Sequence, residues 1–274
     1  MPARKVDFIE AGSGAPVILV HSSVSGARQW RRLMEDLRGD FLVRAVNLFG
    51  YGETPPWSSD GAQRLEDQAA LVEAVLPADA EEICLVGHSF GGSVAMKAAA
   101  LLSSRVKRLV LLEPNPFYLL RQAGRAAAFA EIMVLRDLVK SHGALGAWPT
   151  AAEGFADYWG GVGTWQKMPI ERREAFATAL KPVFSEWDAV MDETTPVTRW
   201  AELLPRATLV ASDPLTVRPI REITALLRKA CPAWTYEEIA AGGHMAPLSR
   251  PDLVNPIIRS FLLSGQPAAA DRVP

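Results

Sequence analysis

The sequence predicts an α/β fold: a mostly parallel, twisted sheet with helices on both faces and an inserted helical segment. Three observations carry this expectation. Apolar runs of strand length alternate with amphipathic stretches from Val6 to Leu112. The alternation stops between Pro114 and about Pro205, then resumes as far as Leu263. Between the apolar run Ile83-Cys84-Leu85-Val86 and the small-residue stretch Gly92–Ala100 stands Gly87-His88-Ser89-Phe90-Gly91.

Val6–Glu10 reads as a first strand, closed by Ala11-Gly12-Ser13-Gly14. Pro16–Val20 is continuously apolar, as in a strand buried on both faces. Arg28–Leu37 repeats Trp30, Leu33, Met34 and Leu37 on one helical face. Phe41–Val46 is the next strand, followed by a turn-rich loop, Asn47–Gly52, and by an amphipathic helix, Gln63–Leu76. The strand at Ile83, its helix and a buried strand at Lys107–Leu112 complete the first half. From Pro114 to Pro205 only helical stretches appear, such as Ala126–Lys140 and Glu171–Leu180, and Trp148, Trp159, Trp165 and Trp187 fall among them. This segment reads as a cap of helices, 114–205, set into a core made of 1–113 and 206–274. Strand Ala207–Ala211, helix Pro219–Lys229, strand Trp234–Ile239 and helix Pro251–Leu263 close the chain, ahead of a Pro/Ala-rich tail expected to fray, Gln266–Pro274.

Composition narrows the function. A chain of 274 residues can bury one large core. A net charge of −2 without a basic run argues against a nucleic-acid partner. The N-terminus lacks the apolar core of a signal peptide, and no apolar run reaches the roughly 18 residues of a membrane span. Cys84 and Cys231 read as packing thiols in a reducing compartment, so a cytoplasmic setting follows. The expected partner is a small-molecule substrate, and a homodimer stays open.

The G-x-S-x-G pattern between strand and helix is the context of a nucleophile elbow. The turn forces Ser89 into strained backbone geometry, and only glycines leave room around it. A serine hydroxyl is barely nucleophilic at its own pKa, so Ser89 needs a base within hydrogen-bond reach. Four histidines are available. His21 and His88 flank the turn and read as loop braces, while His142 reads as a solvated helix end. His244 follows the last strand in the Gly-rich loop Gly242-Gly243-His244-Met245.

These pieces resemble the α/β-hydrolase superfamily over most of the chain outside the insertion. The match runs in order through Gly12-Ser13-Gly14, His21-Ser22-Ser23, Asn47–Gly52, the elbow and Gly242–Met245. His21-Ser22 stands where the superfamily usually has His-Gly, and Asn47 where it usually has Asp. The resemblance implies an α/β-hydrolase fold with Ser89 as nucleophile and His244 as base. The superfamily's acid normally follows the segment Thr208-Leu209-Val210, but the count lands on Thr216, and Asp213 falls short of it. Glu113, at the end of Lys107–Leu112, is the favoured acid, with Asp213 as the alternative. Haloalkane dehalogenases with a glutamate acid carry it at that strand end. A less-studied group of serine α/β-hydrolases with Glu-Pro there, and Ser-Pro or Thr in place of the usual acid, also looks similar.

The backbone amides of Phe90 and Ser23 are the expected oxyanion donors. Ser22, Phe117, Trp159 and Trp165 are expected to touch substrate, with Tyr118, Trp148, Phe155 and Tyr158 as further pocket candidates. The reaction implied is hydrolysis of a carboxylic ester of a small to medium, mostly apolar substrate through an acyl-enzyme. No metal and no organic cofactor is required. Thioester hydrolysis, lactone opening and cleavage of a carbon–carbon bond beside a ketone use the same residues. A rival of another class is a small-molecule receptor with little turnover.

Overall fold

The computed structural model describes residues 5–264, so the tail expected to fray lies outside the described residues. Seven strands form one sheet: β1 (Phe8–Ala11), β2 (Ala15–Val20), β3 (Phe41–Val46), β4 (Ile83–His88), β5 (Val106–Leu112), β6 (Thr208–Ser212) and β7 (Thr235–Glu238). Their order is β1-β3-β2-β4-β5-β6-β7, and every pairing is parallel except that of β1 with β3. The first strand thus starts two residues later than Val6 and is an antiparallel edge, where its short, half-exposed run suffices.

Alternate residues of the central strands feed two cores, as the pleat requires. Val17 and Leu19 of β2 join Val86, Val110 and Leu209 beneath the helices Arg31–Leu37 and Pro251–Leu263. Ile18 and Val20 join Leu85, Leu109 and Val210 on the opposite face. There the helices Leu65–Ala74, Phe90–Leu102 and Arg218–Ala230 cover the sheet. The helix expected from Arg28 opens instead as a tight 3₁₀ turn, Ala27–Trp30, with Trp30 buried as expected.

Between β5 and β6 the described chain is helical: Tyr118–Gln122, Ala126–Ala144, Trp148–Gly160, Thr164–Lys167, Ile170–Ala179, Val183–Met191 and Val197–Leu203. Its buried face, with Leu119, Ile132 and Trp187, continues the second core. Strand order fixes where a site can form. After β2 the chain turns outward to β3 and then returns to the other flank of β2 as β4, so the loops following β2 and β4 diverge. Such a switch point leaves a crevice at the carboxyl ends of the strands.

Candidate active site

Ser89 occupies the turn between β4 and the helix Phe90–Leu102 at φ 54°, ψ −118°. The two flanking glycines make this turn possible. A Cβ at Gly87 would collide with the carbonyl of Gly91, and one at Gly91 with the carbonyls of Val20 and His21. The Ser89 amide is tied to the Leu112 carbonyl at 2.9 Å, so the elbow is anchored to the neighbouring strand end.

From this turn a continuous chain of hydrogen bonds runs through the protein. Ser89 Oγ lies 3.0 Å from His244 Nε2, and His244 Nδ1 lies 2.6 Å from Glu113 Oε2. All three side chains are buried. Glu113 stands at φ 43° ahead of Pro114, a left-handed conformation that a non-glycine residue adopts at a cost. Its carboxylate is held on every side: Oε1 accepts the Asp213 amide at 2.8 Å, and Oε2 also accepts the Thr216 hydroxyl at 2.8 Å. Asp213 takes no part in the chain to His244. Its two oxygens accept the amides of Leu215 and Gly243, each at 2.7 Å, bracing the loop that carries His244.

The other histidines brace loops. His21 donates from Nδ1 to the Ser22 carbonyl at 2.7 Å and accepts the Leu48 amide at Nε2, 3.1 Å away. Burial pushes it down to about 4, so it stays neutral near pH 7. His88 donates from Nε2 to the His244 carbonyl at 2.9 Å and accepts the Gln29 side-chain amide at Nδ1, at 3.1 Å. Burial first, and the neighbouring His244 second, hold it well below the usual imidazole range. Gln29 Oε1 accepts both the amide and the hydroxyl of Ser22, at 3.0 and 2.8 Å. One run of bonds therefore links the loop after β2 to the loop of His244. His142 is half-buried in the last turn of Ala126–Ala144, not fully solvated as expected.

A cavity of about 770 Å³ opens over Ser89, His244, Ser22, Ser23 and Phe90. The amides of Ser23 and Phe90 have no acceptor among the described residues and border this space. Elsewhere the wall is largely apolar, with Phe117, Phe155, Trp159, Phe176, Trp187 and Val190. Among the described residues, no group of three or more His, Cys, Asp or Glu side chains is arranged to hold a metal ion.

A sequence model described as the Alpha/beta hydrolase family matches residues 17–257. The chain belongs to this family. Lipase LipV of Mycobacterium tuberculosis is 27% identical to it over 272 residues, covering 90% of this chain and 93% of the lipase. The 2-hydroxymuconate semialdehyde hydrolase of a Pseudomonas species is 34% identical over 113 residues, 39% of each chain. The enol-lactonase from Burkholderia xenovorans superposes with a TM-score of 0.74 at 17% identity over 94% of this chain and 96% of that one, a likeness of fold.

Within this α/β-hydrolase, the expected contact residues separate. Ser22, Phe117 and Trp159 border the cavity, and so does Phe155. The Ser22 hydroxyl is engaged with Gln29 and Ser25. Trp165 is a correction: it is buried behind the wall, edge-on to Phe176, with its amide bonded to Asp157. Thr164, beside it on the same short helix, reaches the cavity, while the Trp165 ring does not. Tyr118, Trp148 and Tyr158 likewise lie outside the lining, Tyr118 bonding instead to Trp200 and the Thr195 carbonyl. Trp159 does more than line the cavity, for its ring stacks on His244 at 4.0 Å between centroids and 26° between planes. Sequence reasoning missed Gln29, Tyr51, Glu186 and the bond made by Thr216. For Glu186 a signal existed: it falls in the stripe Val183, Glu186, Trp187, Val190, the buried face of its helix.

Proposed function

We propose that the protein is a serine hydrolase that cleaves a carboxylic ester of a small to medium, mostly apolar substrate through an acyl-enzyme. The observation that carries this reading is the unbroken path Ser89–His244–Glu113 opening into an apolar cavity. His244 takes the Ser89 proton as Oγ attacks the ester carbonyl, and returns it to the departing alcohol. Water, deprotonated by the same imidazole, then attacks the acyl-enzyme and releases the acid. Glu113 keeps the Nδ1–H tautomer in place and stabilises the imidazolium without taking its proton. The amides of Ser23 and Phe90 receive the developing oxyanion. The helices of 114–205 act as a cap over the core 1–113 and 206–274, and supply the apolar walls that sort substrates by size.

The receptor alternative drew on a displaced acid, and the bond from Glu113 to His244 removes that ground. Thioesters, lactones and carbon–carbon bonds beside a ketone proceed through the same two half-reactions, so they belong in the substrate screen. The test is turnover of aryl and alkyl esters of graded chain length by wild type and Ser89→Ala. Ester hydrolysis should appear in the wild type and fall on the order of 10³-fold or more in the variant. Hydrolysis surviving unchanged in Ser89→Ala would refute the acyl-enzyme.

A further inference from the structure

Glu186 is the only carboxyl among the described residues of the cavity wall, and the acyl transfer proposed above does not use it. It sits on the buried face of Val183–Met191 and is 2% exposed. Its Oε2 accepts the Ser23 hydroxyl, and its Oε1 accepts the Tyr51 phenol at 2.8 Å. Tyr51 Oη in turn accepts the Val24 amide at 3.0 Å, and Val24 holds a left-handed φ of 66°. One carboxyl thus grips the loop after β2 at two successive residues, beginning with Ser23, which lines the same cavity as Ser89.

Among the described residues no cation pairs with it. Lys140, from the packed helix Ala126–Ala144, pairs with Asp188 at 2.7 Å. Lys97, from Phe90–Leu102, pairs with Glu66 at 3.0 Å and Glu193 at 2.5 Å. Arg172 is exposed on the wall and makes no ion pair with Glu186. Tyr51 is bonded to it, His21 lies edge-on behind Tyr51, and His244 stands on the wall of the same cavity. Burial without a counter-charge pushes the Glu186 carboxyl up to about 7, against the opposing pull of the Ser23 and Tyr51 hydrogen bonds.

We propose that Glu186 is a positioning residue of the oxyanion site that works in its protonated form. This rests on the acyl-transfer reading. A neutral Glu186 donates its proton to Ser23 Oγ and holds the loop, leaving the Ser23 hydroxyl proton free to turn toward the cavity. An ionised Glu186 takes the Ser23 hydroxyl bond for itself and sets a negative charge one residue side chain away from the amide that receives the oxyanion. Like charges so placed oppose each other, and the transition state suffers where the ground state does not.

The sign follows. The favourable form prevails below about 7 and is lost as the pH rises through that value. The loop-bracing His21, His88 and Tyr51 stay silent in this range, burial holding the two histidines below it and the phenol above it, as it does the packing thiols of Cys84 and Cys231.

The experiment is the second-order rate of Ser89 phosphonylation by a fluorophosphonate, followed by intact mass from about pH 5.5 to about pH 9, in wild type and Glu186→Gln. The wild-type rate should fall on the order of tenfold above about pH 7, because of the repulsion between like charges. In Glu186→Gln, which has no charge to gain, the ratio of the rates at the two ends should lose that fall. A wild-type rate that stays level to the alkaline end overturns the proposal, whether or not the variant folds. The same alkaline fall in both proteins overturns it as well, since a merely structural Glu186 changes the rate at all pH values alike. Absence of any adduct on wild-type Ser89 would instead sink the acyl-transfer reading on which the proposal rests.

Discussion

On the strand side of the cavity the chemical groups are fixed through the main chain. Ser89 is tied by its amide to Leu112, Glu113 by its amide to Ala211, and the His244 loop through Gly243 to Asp213. On the helical side the wall consists of side chains leaning on one another: Trp159 over His244, Phe117 stacked on Trp187, and Phe155 edge-on to Trp159. The difference separates two kinds of sensitivity. A group set by strand ends and strained turns is held in one position, so its loss should remove a step of the proposed reaction. An apolar wall can repack, so its changes are graded and depend on the substrate.

The largest expected effect lies on the strand side. His244→Ala should lower ester kcat/KM on the order of 10³-fold or more, and the double variant with Ser89→Ala should be scarcely worse than either single one. Losses that add would mean the two residues do not act as a unit. Glu113→Gln comes next, with a fall on the order of 10³-fold from loss of the charge that supports the imidazolium. Asp213→Asn should cost less than about tenfold, because it disturbs only the bond to one loop amide. Kinetics on the pair would sharpen the comparison by separating the residue bonded to His244 from its structural neighbour.

Acid should weaken the strand side as well. A histidine whose folded pKa is depressed contributes stability that is present above its unfolded value and lost as the pH falls through the folded one. For His21, between 6.5 and about 4, this is worth about 3 kcal/mol, and His88 acts in the same direction. Thermal melts should therefore drop in that window, and His21→Gln should flatten the drop. A melting curve equally steep in the variant would mean that other groups carry the acid sensitivity.

Smaller effects belong to the helices. Trp159→Ala should change the ratio of kcat/KM between short and bulky esters by about tenfold, the scale of one large apolar contact. Trp165→Ala should lower the melting temperature and leave that ratio alone, since the ring lies behind the wall. Equal loss on every ester for Trp159→Ala would show its stacking on His244 to matter more than the wall it forms.

The same division governs what the sequence alone made legible. The strand positions along the chain, the elbow and the position of His244 depend on local patterns of apolar residues and glycines, and these are written in consecutive residues. Glu113 drew attention because the place normally held by an acid is filled by Thr216, whose hydroxyl bonds to the Glu113 carboxylate in the structure. The helical side depends on contacts between distant segments. Glu186 meets Ser23 across 163 residues, and no local periodicity announces such a meeting. Trp159 and Trp165 are similar in sequence context, yet a difference of six positions across a helix break sends one over the imidazole and the other into the packing behind the wall.

The central claim is that Ser89 becomes acylated with the help of His244 and Glu113. Peptide mapping after fluorophosphonate treatment tests it most directly, applied in parallel to wild type, Glu113→Gln and Asp213→Asn. The account predicts a single adduct on the peptide containing Ser89, formed on the order of 10³-fold more slowly in Glu113→Gln and near the wild-type rate in Asp213→Asn. An adduct on another residue, or slow labelling in Asp213→Asn with normal labelling in Glu113→Gln, would contradict it.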